Sequence, residues 1–299
     1  MVMLIKAAAP EVWEQGEGFI GMCEHIARCA AICYNSTPKK GGEAVDFVSM
    51  LIKKGHGRAL EFGTIYKEEE AVPKGRTWSK SICEDGRIFT TYNLRELIER
   101  RGYDLKAVEK EAFPSPGYNY KHRITFHYPA LSRAIADEFR THTELSTMMR
   151  STRYVSAEGE DGLAVVEPDW YGTATPQKQS HFMRAMEAAQ DHYSMLLEMG
   201  LKRQEARDVL PLAVATEMVQ CGFGEAWDNF LQLRCSEAAH PDARALAFQV
   251  RRGLVEYFLG VINETDDADG GALAFQVRRG LVEYFLGVIN EIDDAAGGE

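Results

Sequence analysis

Apolar residues in this chain recur mostly at the 3.6-residue period of a buried helix face, broken by short alternating runs. In residues 19–35, "FIGMCEHIARCAAICYN", the side chains of Ile20, Cys23, Ile26, Ala27, Ala30 and Ala31 share a stripe. That spacing predicts an amphipathic helix ended near "NSTPKK". Residues 45–57, "VDFVSMLIKKGHG", predict a second helix with Gly55 as its stop. "EFGTIYKEEE" (61–70) and "KHRITFHY" (121–128) carry β-type residues with partial alternation and predict strands. "LRELIERRGYDL" (94–105) reads as helix, and Pro129 is placed to open another, with Ala130, Leu131, Ala134, Ile135 and Phe139 as its buried face. Residues 150–180 look irregular. Beyond them, 179–201, 202–211, 225–234 and 241–264 read as helices, with "LAVATEMVQ" (212–220) a strand. Strands scattered among many helices are not a βαβ alternation. The prediction is an α+β fold of mixed helices packed on a modest, mostly antiparallel sheet.

One pattern is a repeat. Residues 245–271 recur as 272–298 with two differences in 27 positions, Thr265 against Ile292 and Asp269 against Ala296. Two units are too few for a solenoid. The expectation is one domain over 1–265 and a duplicated helical tail over 272–299. The tail's apolar stripe (Phe275, Leu281, Val282, Phe285, Leu286, Ile289) must find cover somewhere.

Composition narrows the class. The chain has 299 residues, 45% hydrophobic and 26% charged, which is ordinary for a globular protein. Its net charge of −11 argues against nucleic acid as partner. No cysteine pair has C-x-x-C spacing, so buried free thiols are expected rather than a metal or disulfides. Neither a signal peptide nor an apolar span is visible, so a cytoplasmic protein without membrane contact is expected, and the sequon at Asn35 carries no weight.

The chemistry concentrates in three segments, 138–154, 203–217 and 227–247. They supply Arg140, Arg153, Arg207 and Arg234 with Ser146, Ser151 and Asn229. Arg forms bidentate, charge-assisted bonds to phosphate. Arg153 follows Ser151 by two, so an extended segment turns both to one side. A second arginine from a helix would complete an anion clamp. Taken singly, an arginine on a helix is more often a solvated side chain, His142 a packed or surface histidine, and Met148 and Met149 core filler.

Four blocks in order resemble the flavin-dependent thymidylate synthase family. They are "LEFGT" (60–64), "THTELSTMMRSTRY" (141–154), "QEARDVLP" (204–211) and "NFLQLRCSEAAH" (229–240), and "CEHIARCAAICYNS" (23–36) is similar as well. The likeness spans roughly residues 18–260. It implies reductive C5 methylation of dUMP to dTMP, with FAD as cofactor and NADPH and methylenetetrahydrofolate as co-substrates. It also implies a homotetramer with sites between subunits. By the same resemblance Arg207 and Ser151 serve catalysis. Ser151, Arg153, Arg207, Arg234 and Glu138 hold the nucleotide, and His142, Ser146, Asn229 and Thr64 hold the flavin.

The chain departs from the family pattern mainly on the flavin side. Phe62 stands in place of a histidine, Thr141 and Thr143 in place of arginines, and Met148 and Met149 in place of a polar pair. Phe223, Glu225 and His240 differ too. Arg140 and Arg150 are the nearby cations able to compensate. Two other readings stay open: a related flavin-dependent methylase or hydroxymethylase with a UMP-type substrate, and a catalytically silent nucleotide-binding paralogue.

Overall fold

The computed structural model describes residues 2–73, 78–111, 120–154, 158–159 and 162–266. The strands are β1 (Val2–Ile5), β2 (Glu11–Val12), β3 (Thr64–Glu69), β4 (Ser79–Glu84), β5 (Arg87–Asn93), β6 (Arg123–Ser132), β7 (Ser146–Met149), β8 (Glu158–Gly159), β9 (Gly162–Val166) and β10 (Ala215–Phe223). The α-helices are α1 (Gly18–Ala31), α2 (Gly41–Lys53), α3 (Gly57–Leu60), α4 (Leu105–Glu109), α5 (Arg133–Phe139), α6 (Pro176–Glu198), α7 (Arg203–Ala206), α8 (Gly224–Arg234) and α9 (Pro241–Asp266). The architecture is α+β, as the sequence predicts, but the described strands form three small sheets rather than one.

The sheet that positions the site has the order β2-β6-β10-β7, all antiparallel. β6 and β10 pair from Phe223 opposite Arg123 to Ala215 opposite Ser132, with a register shift between Thr216 and Met218. Pro129 lies in β6 across from that irregularity and opens no helix. A proline has no N–H to give a ladder, so an interrupted register is where a strand accepts it. α5 begins at Arg133 instead, with the Ser132 hydroxyl accepting from the Ile135 N–H at 3.3 Å.

β3, β5 and β4 form an antiparallel meander. Its β4–β5 turn is Asp85-Gly86, both at positive φ. That is the backbone a tight type I′ hairpin demands, and Asp-Gly supplies it. In the third sheet, β1 pairs with β9 in parallel across some 160 residues of sequence. β9 falls inside the stretch that looked irregular.

Two main cores flank the sheets. One packs Phe126 and Tyr128 of β6 against Trp227 and Phe230 of α8, Phe139 of α5 and Val250 of α9. The other joins Met22 and Ile26 of α1, Val48 and Leu51 of α2, Ile65 and Tyr92. A small cluster of Cys29, Ile32, Phe62, Val219 and Cys221 bridges α1 to β10. Each buried aromatic or aliphatic side chain contributes about 1.5–3 kcal/mol relative to exposure.

Among the described residues no helix is long and apolar enough to cross a membrane. All six cysteines are free. Cys23, Cys29, Cys221 and Cys235 are buried, whereas Cys33 is half-buried and Cys83 exposed. Burial pushes the thiols of Cys23, Cys29 and Cys235 upward, away from the reactive thiolate. The predicted tail, 272–299, lies outside the described residues. The first copy of the repeat forms the larger part of α9.

Candidate functional site

Residues 140–154 run from the end of α5 through a turn, along β7, and out into a loop. Three backbone bonds fix this path. The Leu145 N–H donates to His142 O at 3.0 Å, the Arg150 N–H to Glu217 O at 2.9 Å, and the Ser151 N–H to Cys33 O at 3.1 Å. β7 therefore lies on the outer edge of β10, with Met148 opposite Val219 and Met149 opposite Met218.

A cleft of about 510 Å³ opens beside β7, lined by Cys33, Arg58, Arg140, Thr143, Leu145, Thr147, Met148 and Met149. Two cations therefore stand over an apolar floor edged by hydroxyls. The side chains of Arg58 and Arg140 are 60% and 59% exposed. Arg140 pairs with Asp137 at 3.2 Å. Arg58 pairs at 3.0 Å with Glu61, which is only 2% exposed and also takes Arg95 at 2.7 Å and the Ser146 hydroxyl at 2.6 Å. A carboxylate buried to that degree requires such partners. Arg150 does not line the cleft. Its guanidinium donates to Glu217 at 2.6 Å, and Glu217 reaches His127 at 2.8 Å. Those two partners hold the Glu217 carboxyl below its usual range although burial works the other way.

The structure sorts the sequence-predicted residues into three groups and one outlier. Ser151, Arg153 and Arg207 come together. The Arg207 guanidinium donates to the Thr152 hydroxyl at 3.4 Å, and the Arg153 N–H to Ser151 Oγ at 3.3 Å. Arg234, Glu138 and His142 form a second group, in which Arg234 donates to Glu138 Oε2 (2.7 Å), Glu138 O (2.7 Å), Thr141 Oγ1 (3.1 Å) and His142 Nε2 (2.9 Å). Ser146 and Thr64 are buried around Glu61. Arg123 donates to Thr64 Oγ1 at 3.1 Å and to Glu61 O at 2.7 Å. Asn229 lies on the exposed face of α8, away from all three groups of the described residues.

His142 is 7% exposed and lies against the Phe230 ring at 4.9 Å. Burial, helped by the Arg234 charge, pushes its pKa down to about 4. The ring is thus neutral at pH 7, with Nε2 free to accept the Arg234 bond.

Two further arginines hold the 150–154 loop. Arg133 donates to Arg150 O at 3.3 Å and Arg203 to Tyr154 O at 3.0 Å. Burial and the neighbouring charges of Arg140 and Arg207 hold the Arg133 guanidinium below its ordinary value, with Asp137 opposing. Among the described residues no carboxylate pairs with Arg153, Arg203 or Arg207. Among the described residues this end of the site thus presents cations without ion-pair partners, which suits an anion. Arg203 stands four before Arg207 on the same helical face, a spacing visible in the sequence. Arg133 left no such signal.

Phe62 is fully buried in the bridging cluster and does not line the cleft. Among the described residues no group of three or more His, Cys, Asp or Glu is arranged to hold a metal.

A family model described as thymidylate synthase complementing protein matches residues 121–258. The matched segment, a little under half of the chain, is similar to this family. They hold α5, β7, the 150–154 loop, α7 and α8, and so all three arginines of the expected clamp. The thymidylate synthase complementing family segment is narrower than the 18–260 likeness, and Thr64 and Phe62 fall outside it. A flavin-dependent thymidylate synthase from Geobacter sulfurreducens is 34% identical over 129 residues, 43% of this chain and 55% of that protein. Another from Mycolicibacterium gilvum is 32% identical over 147 residues, 44% and 57% of the two chains. The chain spans little more than half the length of the curated relatives it matches. A solved UMP/dUMP methylase from Streptomyces cacaoi, bound with 5-Br dUMP, aligns with 85% of this chain and 92% of its own at 17% identity and a TM-score of 0.43.

Proposed function

We propose that this chain methylates dUMP at C5 to give dTMP, using methylenetetrahydrofolate, NADPH and bound FAD. The observation that carries the reading is the placement of the cleft: it adjoins the 150–154 loop, where Arg153, and Arg207 bonded to Thr152, have no carboxylate partner among the described residues. The family-model match over residues 121–258 and the names of the relatives support it.

The cleft suits a flavin nucleotide on its own chemistry. A flat ring needs an apolar wall, and Leu145, Met148 and Met149 provide one. Phosphates need cations, and Arg58 and Arg140 stand where Thr141 and Thr143 supply none. Thr143 and Thr147 add hydroxyls. When bound, the flavin supplies the electron transfer that no side chain can.

The protein's own share is binding and polarisation. Arg207 and Arg153 neutralise the nucleotide's phosphate, and Ser151 fixes its orientation. Arg133 and Arg203 hold the loop by its carbonyls, so the donors are in place before the ligand arrives. Arg234, Glu138 and the neutral His142 form a rigid wall at the other end of α5. No protein nucleophile is invoked, which fits a Ser151 hydroxyl bonded, among the described residues, to the Arg153 N–H alone. The reading includes assembly into a homotetramer that completes each site.

The purified protein is expected to be yellow, with flavin absorbance near about 450 nm, and to release tritium from C5-labelled dUMP. A colourless protein that FAD does not reconstitute overturns the reading and favours a silent nucleotide binder. Release from UMP in preference to dUMP moves the substrate, not the chemistry.

A further inference from the structure

Arg150 opens the loop that carries Ser151 and Arg153, and one residue of the central sheet grips it twice. Its N–H donates to the Glu217 carbonyl at 2.9 Å, and its guanidinium donates to Glu217 Oε2 at 2.6 Å. Among the described residues no other carboxylate pairs with Arg150, and Arg150 Nε is buried without a hydrogen-bond partner. The placement of this cation therefore depends on one carboxylate.

The second oxygen of that carboxylate reaches back into the sheet. Glu217 Oε1 bonds His127 Nε2 at 2.8 Å. His127 is buried on β6, a strand with a neighbour on each side. Its ring stacks on Trp13 at 4.0 Å, and the Arg28 guanidinium lies over Trp13 at 3.6 Å. Glu217 also falls at the register shift, where the ladder gives it no partner in β6. Such irregularities re-aim side chains. We propose that Glu217 is a positioning residue for the nucleotide: it straps the 150–154 loop to β6 and so fixes how Ser151 and Arg153 meet the anion. The proposal rests on the reading of that loop as the nucleotide clamp. The effect passes through Arg150, and a loop tied in this way has less conformational freedom to lose when a ligand arrives.

A double-mutant cycle in the full chain tests the strap, with the dUMP dissociation constant read by calorimetry. Glu217→Leu is expected to weaken dUMP binding about tenfold. Arg150→Leu cuts the strap from the loop side and carries the same expectation where Glu217→Leu does not fold. The double variant is expected to lose no more than either single one, because the pair acts as a unit. Gly86→Ala, in a hairpin remote in sequence from this loop, is the control for lowered stability alone. Additive losses in the double variant overturn the proposal, as does a loss that Gly86→Ala reproduces at equal Tm. Tight wild-type binding that neither single variant alters overturns the proposal and leaves the functional reading standing. Wild-type protein that binds neither dUMP nor UMP overturns both.

Discussion

Arg207 and Arg234 share a residue type and an expected role, yet their guanidiniums are committed differently. Arg234 makes four bonds to the end of α5, two of them to backbone or side-chain oxygens of Glu138. Arg207 makes one long bond to Thr152. Arg207→Ala is therefore expected to weaken nucleotide binding by about 1.5–3 kcal/mol with little change in Tm, measured by calorimetry. Arg234→Ala instead strips a partner from the buried His142 and the half-buried Glu138, and is expected to lower unfolding stability by about 1–3 kcal/mol in urea. His142 adds a pH dependence. Its folded pKa of about 4 lies below the 6.5 of an unfolded histidine, so the unfolded state binds the extra proton. This contribution is complete above pH 6.5 and is lost as pH falls from 6.5 to 4. His142→Gln, which keeps an acceptor for Arg234, is expected to flatten the slope of stability over that window in denaturant titrations. Ser151, Arg153 and Arg207 were legible because motif blocks carry them. Arg133 was not, since a bond to a distant carbonyl leaves no trace in residue order.

Elements were legible in proportion to how local their causes are. α1, α2, α6, α8 and α9 announce themselves by period, and β3, β6 and β10 by β-type composition. The meander's β4–β5 hairpin was missed although Asp85-Gly86 marks it, a signal carried by two residues rather than by periodicity. Gly86 sits at φ 76°. Gly86→Ala is expected to cost about 1 kcal/mol through backbone strain, read as a lower Tm with the cleft's ligand affinity unchanged. The parallel pairing of β1 with β9 was invisible, because its partner lies far along the chain and register is set only in the assembled fold. Pro129 misled for a related reason: its helix-opening habit yields to an irregular strand register that only β10 creates.

At the scale of the molecule, a net charge of −11 coexists with a cation-rich corner. Bulk acidity argues against a nucleic-acid coat and says nothing about one pocket. Nucleotide affinity is expected to fall as salt rises from about 50 to 300 mM, since Arg153 is exposed and Arg207 only half-buried. A salt-independent dissociation constant would place the nucleotide elsewhere. Phe62 also acts at this scale. It fills the seam where α1 meets β10, among Cys29, Ile32, Val219 and Cys221. A histidine placed at that position would meet aliphatic carbons and thiols, and its ring nitrogens would lack strong partners. The ring therefore works as a rivet: it joins the helical layer of α1 to the central sheet, so loosening this one side chain would let the two cores slide against each other.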